Sequence, residues 1–168
     1  MVDLNLSARL PDEISDYSET DIRKAIELLF FAYRDFTSGP DNVLAEYGYG
    51  RAHHRVIHFV GRNPGITVQQ LLGILRITKQ SLSRVLGSLV RDGYVEQRQG
   101  KRDRRMRHLH LTDQGVALEA ACSAPQRDRV REAFEEAGPE AVKGYAAVLR
   151  ALVDPDDRSD VFSLVEDG

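Results

Sequence analysis

Cysteine is nearly absent from the chain: among 168 residues there is only Cys122. A single thiol excludes an intrachain disulfide framework and is typical of proteins kept in a reducing compartment. Because Cys122 follows two alanines, we expect it to be a small packed side chain. A redox switch is the less favoured alternative.

Long apolar runs and targeting signals are lacking too. No apolar run approaches the roughly 20 residues that span a bilayer. Residues 1–18 contain acids and no basic region ahead of an apolar stretch, unlike a secretory signal. The hydrophobic fraction of 42% and the charged fraction of 29% are ordinary for a globular protein. We therefore expect a soluble, cytoplasmic protein of one domain.

Signatures of an enzyme are also missing. The sequence contains no Gly-rich phosphate loop, no nucleophile elbow and no Cys-pair metal motif. Most carboxylates lie in the terminal regions, where solvated helix faces explain them better than acid–base catalysis does. The sequence therefore predicts a protein that is not an enzyme and needs no cofactor.

Basic residues do not outnumber acidic ones in the whole chain, but they are concentrated in one segment. The net charge is −3, yet residues 51–110 hold 13 of the 23 Lys and Arg residues and only three of the 26 acids. This segment carries a charge of +10 and the remainder −13. A basic module in an acidic frame is typical of a protein that neutralises phosphates on one face. A solvated charged surface is the simpler alternative.

The first half of the chain predicts two helices. The first begins at Ser18 or Thr20 and runs to about Phe36, because the Ser-Gly-Pro sequence at 38–40 should end it. Its apolar stripe, which can pack within the monomer or against a second copy, comprises Ile22, Ile26, Leu29, Tyr33 and Phe36. The second helix spans 51–62 and has an apolar side and a basic side.

Two shorter helices follow, separated by a sharp turn. Thr67 and Gln70 match a capping box for the first of them. Thr78 caps the second, which runs to about Asp92 before Gly93 ends it in a left-handed conformation. The residues expected to be buried in this second helix are Leu82, Val85, Leu86, Leu89 and Val90.

A β-hairpin and two C-terminal helices complete the prediction. Residues 94–98 and 107–111 are predicted as strands. Thr112 caps a long helix towards Glu136, which Pro125 should kink or split. Pro139 begins the last helix, whose apolar stripe comprises Val142, Tyr145, Ala146, Leu149 and Leu152. The acidic tail that follows is expected to fray, unless its apolar residues dock elsewhere.

Two short helices joined by a tight turn and followed by a hairpin predict a winged helix-turn-helix. The polar face of the second helix, residues 78–92, then enters the major groove, where Arg84 can bridge guanine O6 and N7 and Gln80 can bridge adenine N6 and N7. Gly87 lets the helix approach DNA closely. The predicted contacts are Thr78, Lys79, Gln80, Ser81, Ser83, Arg84 and Ser88.

The predicted wing, residues 98–107, has an unusually basic tip with a single acid. Such a cluster repels itself unless anions are near. A guanidinium on a narrow wing fits the minor groove, where the potential is most negative, and an adjacent carboxylate can hold it extended. The predicted contacts at the tip are Arg102, Asp103, Arg104 and Arg105.

These motifs resemble the MarR family of bacterial regulators over about residues 20–153. The strongest resemblance lies in residues 78–95, which are similar to the family's recognition helix, and in Asp103-Arg104-Arg105 followed by Leu-His-Leu-Thr at 109–112, which are similar to its wing. The resemblance implies an obligate homodimer that binds a pseudo-palindromic operator, usually as a repressor released by a small molecule. It also implies that Arg105 enters the minor groove and that Asp103 orients it.

The expected fold is mainly α with a small β-hairpin wing. We predict an N-terminal arm at 1–17, a dimerisation helix and connection at 18–49, and a winged helix-turn-helix lobe at 50–112. C-terminal dimerisation helices at 113–153 and an acidic tail at 154–168 follow. The expected partners are double-stranded DNA, a second copy of the chain and a small-molecule effector, with no membrane.

Two alternatives concern what the protein senses. A ligand pocket between the lobe and the dimerisation helices has aromatic candidates that are more often core: Phe30, Tyr33, Phe36, Tyr47, Tyr49 and His53. A metal-responsive regulator is the rival, because His54 and His58 are four residues apart on a helix, and His108 and His110 share one face of a strand. Neither pair has a nearby Cys or acid as a third ligand in the sequence, so the favoured interpretation is that His108 and His110 are exposed wing residues and that His58 belongs to the basic side of the second helix.

Overall fold

The computed structural model describes residues 17–100 and 106–166, and in this part of the chain the fold is mainly helical with one small sheet. The chain divides between Asp35 and Phe36 into two compact units. No helix within the described residues is long and apolar enough to span a bilayer. In chain order the elements are α1 (Glu19–Ala45), α2 (Arg51–Arg62), β1 (Ile66–Thr67), α3 (Val68–Leu75), α4 (Lys79–Arg91), β2 (Val95–Gln99), β3 (Arg107–Leu111), α5 (Asp113–Ala137), α6 (Pro139–Leu152), a 3-10 turn (Pro155–Asp157) and α7 (Arg158–Glu166).

The sheet is antiparallel, with the strand order β1-β3-β2. Both strands of the predicted hairpin are confirmed, and Val95 pairs with Leu111 across it. The short strand β1 was not predicted, because two residues are too few to show an alternating pattern. It exists through a tertiary contact: Ile66 pairs with Leu109 on β3.

The core of the second unit lies beneath α4. Helices α2, α3 and α4 and the sheet all contribute side chains to it, and α2 packs against α4 and α5. Its fully buried side chains include Leu44, Val56, Ile57, Val60, Leu71, Leu82, Leu89 and Leu109. The four leucine and valine residues of α4 that are buried in the structure, 82, 85, 86 and 89, were all predicted to be buried.

The predicted helix caps are confirmed by hydrogen bonds. Thr67 Oγ1 accepts from the Gln70 amide at 3.2 Å, and the Gln70 side chain accepts from the Thr67 amide at 2.9 Å, which completes the capping box. Thr78 Oγ1 accepts from the Ser81 amide at 3.1 Å. Gly93, with φ +82°, follows α4 in the left-handed region, as predicted.

The predicted end of α1 is wrong. The helix continues through Gly39 and Pro40 to Ala45, and Pro40 and Leu44 are buried. A Cβ atom added to Gly39 would lie 2.8 Å from the Cβ of Pro125, so Gly39 permits a close approach of α1 to α5. The packing of this segment offsets the roughly 3 kcal/mol that an interior proline costs a helix.

Pro125 does not split α5, which is one continuous helix from Asp113 to Ala137. The expected fraying of the acidic tail is also wrong, because the tail forms a 3-10 turn and helix α7. Arg150 lies over the Phe162 ring at 4.0 Å, and Arg158 donates to the carbonyl oxygens of Val153 and Ala151 at 3.1 and 2.8 Å. The tail is therefore held against the end of α6.

Gly115 is required by a close approach that the sequence did not reveal. A Cβ atom at this position would lie 2.0 Å from the carbonyl oxygen of Tyr94. We expect Gly115→Ala to lower the free energy of unfolding by about 2 kcal/mol, because backbone on two elements would have to separate. Urea unfolding followed by circular dichroism measures this change.

The matched control is Gly144→Ala, inside α6, where an added Cβ atom meets nothing within 4 Å. This control should leave the free energy of unfolding unchanged or raise it by up to about 1 kcal/mol. Equal effects of the two substitutions would contradict the steric explanation for Gly115.

Candidate nucleic-acid interface

Helix α4 separates its side chains into a buried face and an exposed face. The helix begins after the Thr78 cap, and its apolar residues enter the core beneath it. The opposite face is exposed and polar, and it carries four of the predicted contact residues: Lys79, Gln80, Ser83 and Arg84. The burial of the apolar face therefore dictates that these four side chains point into solvent.

The other predicted contacts on this helix are engaged within the protein. Thr78 and Ser81 form the N-terminal cap, in which the Thr78 hydroxyl donates to Ser81 Oγ at 2.9 Å. Ser88 is half-buried. Its Oγ donates to the carbonyl oxygen of Val85 at 2.8 Å and lies 3.1 Å from Nε2 of His53. Ser88 is thus bound to α2 rather than presented to solvent.

Gly87 lies on the exposed face of α4, one turn after Ser83. A Cβ atom added at this position would meet nothing within 4 Å. Packing inside the protein therefore does not explain a glycine in the middle of this helix, where alanine would be more favourable.

The described part of the wing consists of β2, β3 and the residues next to the tip. The Gly100 amide donates to the carbonyl oxygen of Met106 at 3.0 Å, and Arg98 forms an ion pair with Glu96. The four predicted tip contacts, Arg102, Asp103, Arg104 and Arg105, lie outside the described residues. Their roles remain predictions.

The expectation that His108 and His110 are exposed is wrong, because both are half-buried on β3. His108 Nδ1 lies 2.8 Å from the carbonyl oxygen of Gly65, which ties β3 to the residue before β1. The unpredicted strand β1 explains this contact, since it places residue 65 beside the hairpin.

A cavity of about 480 Å³ lies at the base of the wing. Two cationic side chains line it together with apolar and uncharged polar ones. They lie in or next to the first turn of α3 and the starts of α4 and β3: Thr67, Val68, Gln69, Leu72, Lys79, Met106 and Arg107. No local sequence pattern indicates this concave surface, because residues up to 40 positions apart form it.

The predicted pocket residues are divided between the two units. Phe30 and Tyr33 belong to the N-terminal unit, and Phe36, Tyr47, Tyr49 and His53 belong to the second. In the second unit the Tyr49 and His53 rings stack at 4.4 Å with an interplanar angle of 8°. Tyr94 meets Tyr47 and Tyr49 edge-on. These aromatic side chains pack against one another at half-buried positions, with Tyr47 about half exposed, and the pocket itself remains a prediction.

Three ionisable groups near the end of α4 have shifted pKa values. Tyr49 Oη donates to Asp92 Oδ2 at 2.6 Å. Burial, and then this hydrogen bond, raise the pKa of Tyr49. The hydrogen bonds from Tyr49 and Arg91 lower the pKa of Asp92, and burial lowers that of His53. At neutral pH, Tyr49 is therefore a donor, Asp92 is ionised and His53 is neutral.

The remaining histidines and the cysteine were candidates for metal or redox sensing. His58 Nδ1 lies 3.2 Å from Glu119 Oε1, and the buried Nε2 of His54 has no hydrogen-bond partner. Within residues 17–100 and 106–166, no group of three or more His, Cys, Asp or Glu side chains could hold a metal ion. Cys122 is buried, and burial raises its pKa to about 11, so its thiol is protonated at neutral pH.

Comparisons with known proteins agree with this geometry. A model of the MarR family matches residues 47–106. The HTH-type transcriptional regulator PetP of Rhodobacter capsulatus is 54% identical over 138 residues, which are 82% of this chain and 83% of that protein.

Two solved structures share the fold. Streptococcus pneumoniae FabT in complex with DNA matches with a TM-score of 0.69 and 21% identity, over 88% of this chain and 99% of that one. A mutant MarR from E. coli complexed with operator DNA matches with a TM-score of 0.63 and 20% identity, over 80% of this chain and 97% of that one. Since the chain has a winged helix-turn-helix and is 54% identical to PetP over 82% of its own length, it belongs to the MarR family and is a transcription regulator.

Proposed function

We propose that the protein binds double-stranded DNA, with α4 in the major groove and the wing in the minor groove. The observation that carries this proposal is the exposed polar face of α4, where Gln80, Ser83 and Arg84 stand beside a glycine that internal packing does not require. A helix with that face fits the major groove, in which arginine and glutamine side chains distinguish bases. FabT and MarR, which share this fold, were solved in complex with DNA, and this supports DNA binding by the present chain.

Each side chain on this face has a chemical role in the proposal. Arg84 donates two hydrogen bonds to guanine, and Gln80 forms a donor–acceptor pair with adenine. Lys79 and Ser83 contact phosphate oxygens, as do Arg102 and Arg104 of the wing. Arg105 enters the minor groove, and Asp103 holds it extended.

We also propose that the regulator is a homodimer on a pseudo-palindromic operator. The part of α1 in the N-terminal unit exposes seven large apolar side chains: Ile22, Ile26, Leu28, Leu29, Phe30, Phe31 and Tyr33. Helix α6 buries none of its residues and exposes Tyr145, Val148 and Leu152. A second copy would cover these surfaces, and a twofold dimer places two copies of α4 about 34 Å apart, one turn of DNA.

In this proposal the protein represses transcription by occupying the operator, and a small molecule releases it. The aromatic residues 30, 33, 36, 47, 49 and 53 remain the proposed surroundings of the effector. The second unit supports that part of the proposal by placing Tyr49 and His53 in contact with α4. An effector at these residues would act directly on the DNA-reading helix.

Arg84→Ala tests whether α4 reads bases. On a duplex selected by the wild-type protein from a random library, we expect a loss of about 1–3 kcal/mol of binding free energy and a relaxed preference at one base pair in each half-site. Binding to random duplexes should change less. The control Arg129→Ala removes the same charge from α5 and should alter neither quantity. Equal losses on selected and random DNA would show that Arg84 contacts phosphate instead.

Gly87→Ala separates DNA binding from folding. The added methyl group meets no protein atom within 4 Å, so the free energy of unfolding should rise by about 0.5–1 kcal/mol. At the DNA surface the same methyl group should cause a steric conflict of about 1–3 kcal/mol, which weakens binding roughly 5- to 150-fold.

Gly73→Ala is the control for Gly87→Ala, because Gly73 is an exposed glycine of α3 that also has nothing within 4 Å of an added Cβ atom. It should stabilise the protein similarly and leave DNA affinity unchanged. If Gly87→Ala stabilises the fold and binds DNA as tightly as the wild type, α4 does not enter the groove by this face.

Sedimentation equilibrium tests the proposed dimer. We expect the wild-type protein to be a dimer at micromolar concentration. Ile26→Glu should shift it towards monomer, because a charge would replace a side chain that is 64% exposed in the single chain. Glu27→Gln, at the neighbouring exposed position, should leave the dimer intact. A wild-type monomer that still binds its selected duplex tightly would refute the dimer.

A further inference from the structure

Two hydrogen bonds join residues 49–53 to the second half of α4 and its C-cap, and a ring stack joins the two residues that form them. Tyr49 Oη donates to Oδ2 of Asp92, the residue that ends α4, at 2.6 Å. Nε2 of His53 lies 3.1 Å from Oγ of Ser88. The two aromatic rings stack on each other at 4.4 Å, so each holds the other in its hydrogen-bonding position. Two residues one turn apart on α4 are therefore bound to the start of α2.

The hydrogen bonds around His53 require its neutral form with the proton on Nε2. The Ser88 hydroxyl has one hydrogen, which it donates to the carbonyl oxygen of Val85 at 2.8 Å. Nε2 of His53 must therefore donate to Ser88 Oγ. Nδ1 accepts from the amide of Gly50, the N-cap of α2, at 3.2 Å. Since Nδ1 is an acceptor and Nε2 a donor, the ring carries one proton and no charge.

We infer that Tyr49 and His53 are positioning residues for DNA recognition: bound to Asp92 and Ser88, they hold the second half of α4 in place, and the neutral form of His53 is the DNA-binding form. This inference rests on the proposed function of α4. Neither Tyr49 nor His53 contacts DNA in this proposal. Both act through α4, which carries Arg84 and Gly87 one to two turns before its end.

Protonation of His53 would break this arrangement. A proton on Nδ1 would face the Gly50 amide, so two donors would oppose each other at 3.2 Å and the ring would have to turn away from Ser88. The charged groups around the ring belong to α4 and its end: Arg84 and Arg91 are cations and Asp92 is an anion. The Tyr49 ring stacks on the His53 ring, and Tyr94 meets Tyr49 edge-on.

Burial lowers the pKa of His53 in the folded protein; the backbone hydrogen bond with Gly50 opposes this and the charge of Arg84 adds to it, and the net shift is downward. The folded protein therefore binds this proton less tightly than the unfolded chain does. The contribution of His53 is complete above the ordinary histidine pKa and is lost as the pH falls through the lowered folded-state pKa. DNA affinity should follow the same direction, being highest at neutral to alkaline pH and decreasing in acid.

The test compares four variants with the wild type on a duplex that the wild-type protein selects at pH 8. Fluorescence anisotropy at constant ionic strength measures affinity between pH 8 and pH 5.5. His53→Phe keeps an aromatic ring for the stack but no ring nitrogen, and His53→Gln keeps an amide donor for Ser88 and does not titrate. Tyr49→Phe removes the hydrogen bond to Asp92, and Ser88→Ala removes the hydrogen bond to His53 together with the local one to the Val85 carbonyl oxygen; both substitutions are mild enough to fold. Thermal unfolding confirms that each variant is folded.

At pH 8 we expect His53→Phe, Ser88→Ala and Tyr49→Phe each to bind the selected duplex about 3- to 10-fold more weakly, the size of one net hydrogen bond. His53→Gln should bind within about 2-fold of the wild type. The wild type should lose affinity as the pH falls to 5.5, and His53→Gln should lose less, because glutamine cannot take up the proton. Affinity for random duplexes should be similar for all variants, since phosphate contacts govern it.

Hydrogen–deuterium exchange without DNA provides an independent measurement. Amides of residues 88–92 should exchange faster in His53→Phe and Tyr49→Phe than in the wild type and in His53→Gln. Unchanged exchange in both aromatic variants, or an identical pH profile in His53→Gln and the wild type, would overturn the inference. If the wild type selects no duplex, the proposed function fails, and the exchange measurement alone then decides whether these residues position α4.

Discussion

The burial of one face of α4 is the constraint on which the rest of the structure depends. Leu82 and Leu89 are fully buried, and the core that receives them includes Val56 and Val60 of α2. Since side chains on a helix repeat every 3.6 residues, burying this face leaves the polar side chains of residues 80, 83 and 84, and the glycine at 87, on the other. The same hydrophobic contacts that stabilise the second unit thus orient its DNA-reading surface.

Charge complements this orientation. The segment 51–110 is strongly basic in a chain whose other parts are acidic, so attraction for phosphate is greatest near α4 and the wing. Two acidic residues of that segment are bound to neighbouring side chains. Asp92 accepts hydrogen bonds from Tyr49 and Arg91, and Glu96 forms an ion pair with Arg98. These few carboxylates position neighbouring groups and leave the exposed face of α4 without an acid of its own.

Residues that usually interrupt helices have a different role in this protein. Gly39 and Pro125 were expected to end one helix and to kink or split another, yet α1 and α5 continue through them, and the two residues lie against each other. A side chain at 39 would separate the two helices. The helix propensity of a residue contributes a few kcal/mol at most. Packing between helices that are distant in sequence outweighs it where α1 contacts α5.

The sequence by itself determined the helices, caps and hairpin of the DNA-binding lobe, because periodic apolar residues and capping side chains act over a few positions. Thr67, Thr78 and Gly93 all have the roles that their neighbours predict. Only the tertiary structure decided that β1 exists, that α1 passes Pro40, and that Ser88 faces His53 rather than solvent. Each of these depends on a contact between residues 35 to 86 positions apart, and no local pattern records which distant side chain will be near.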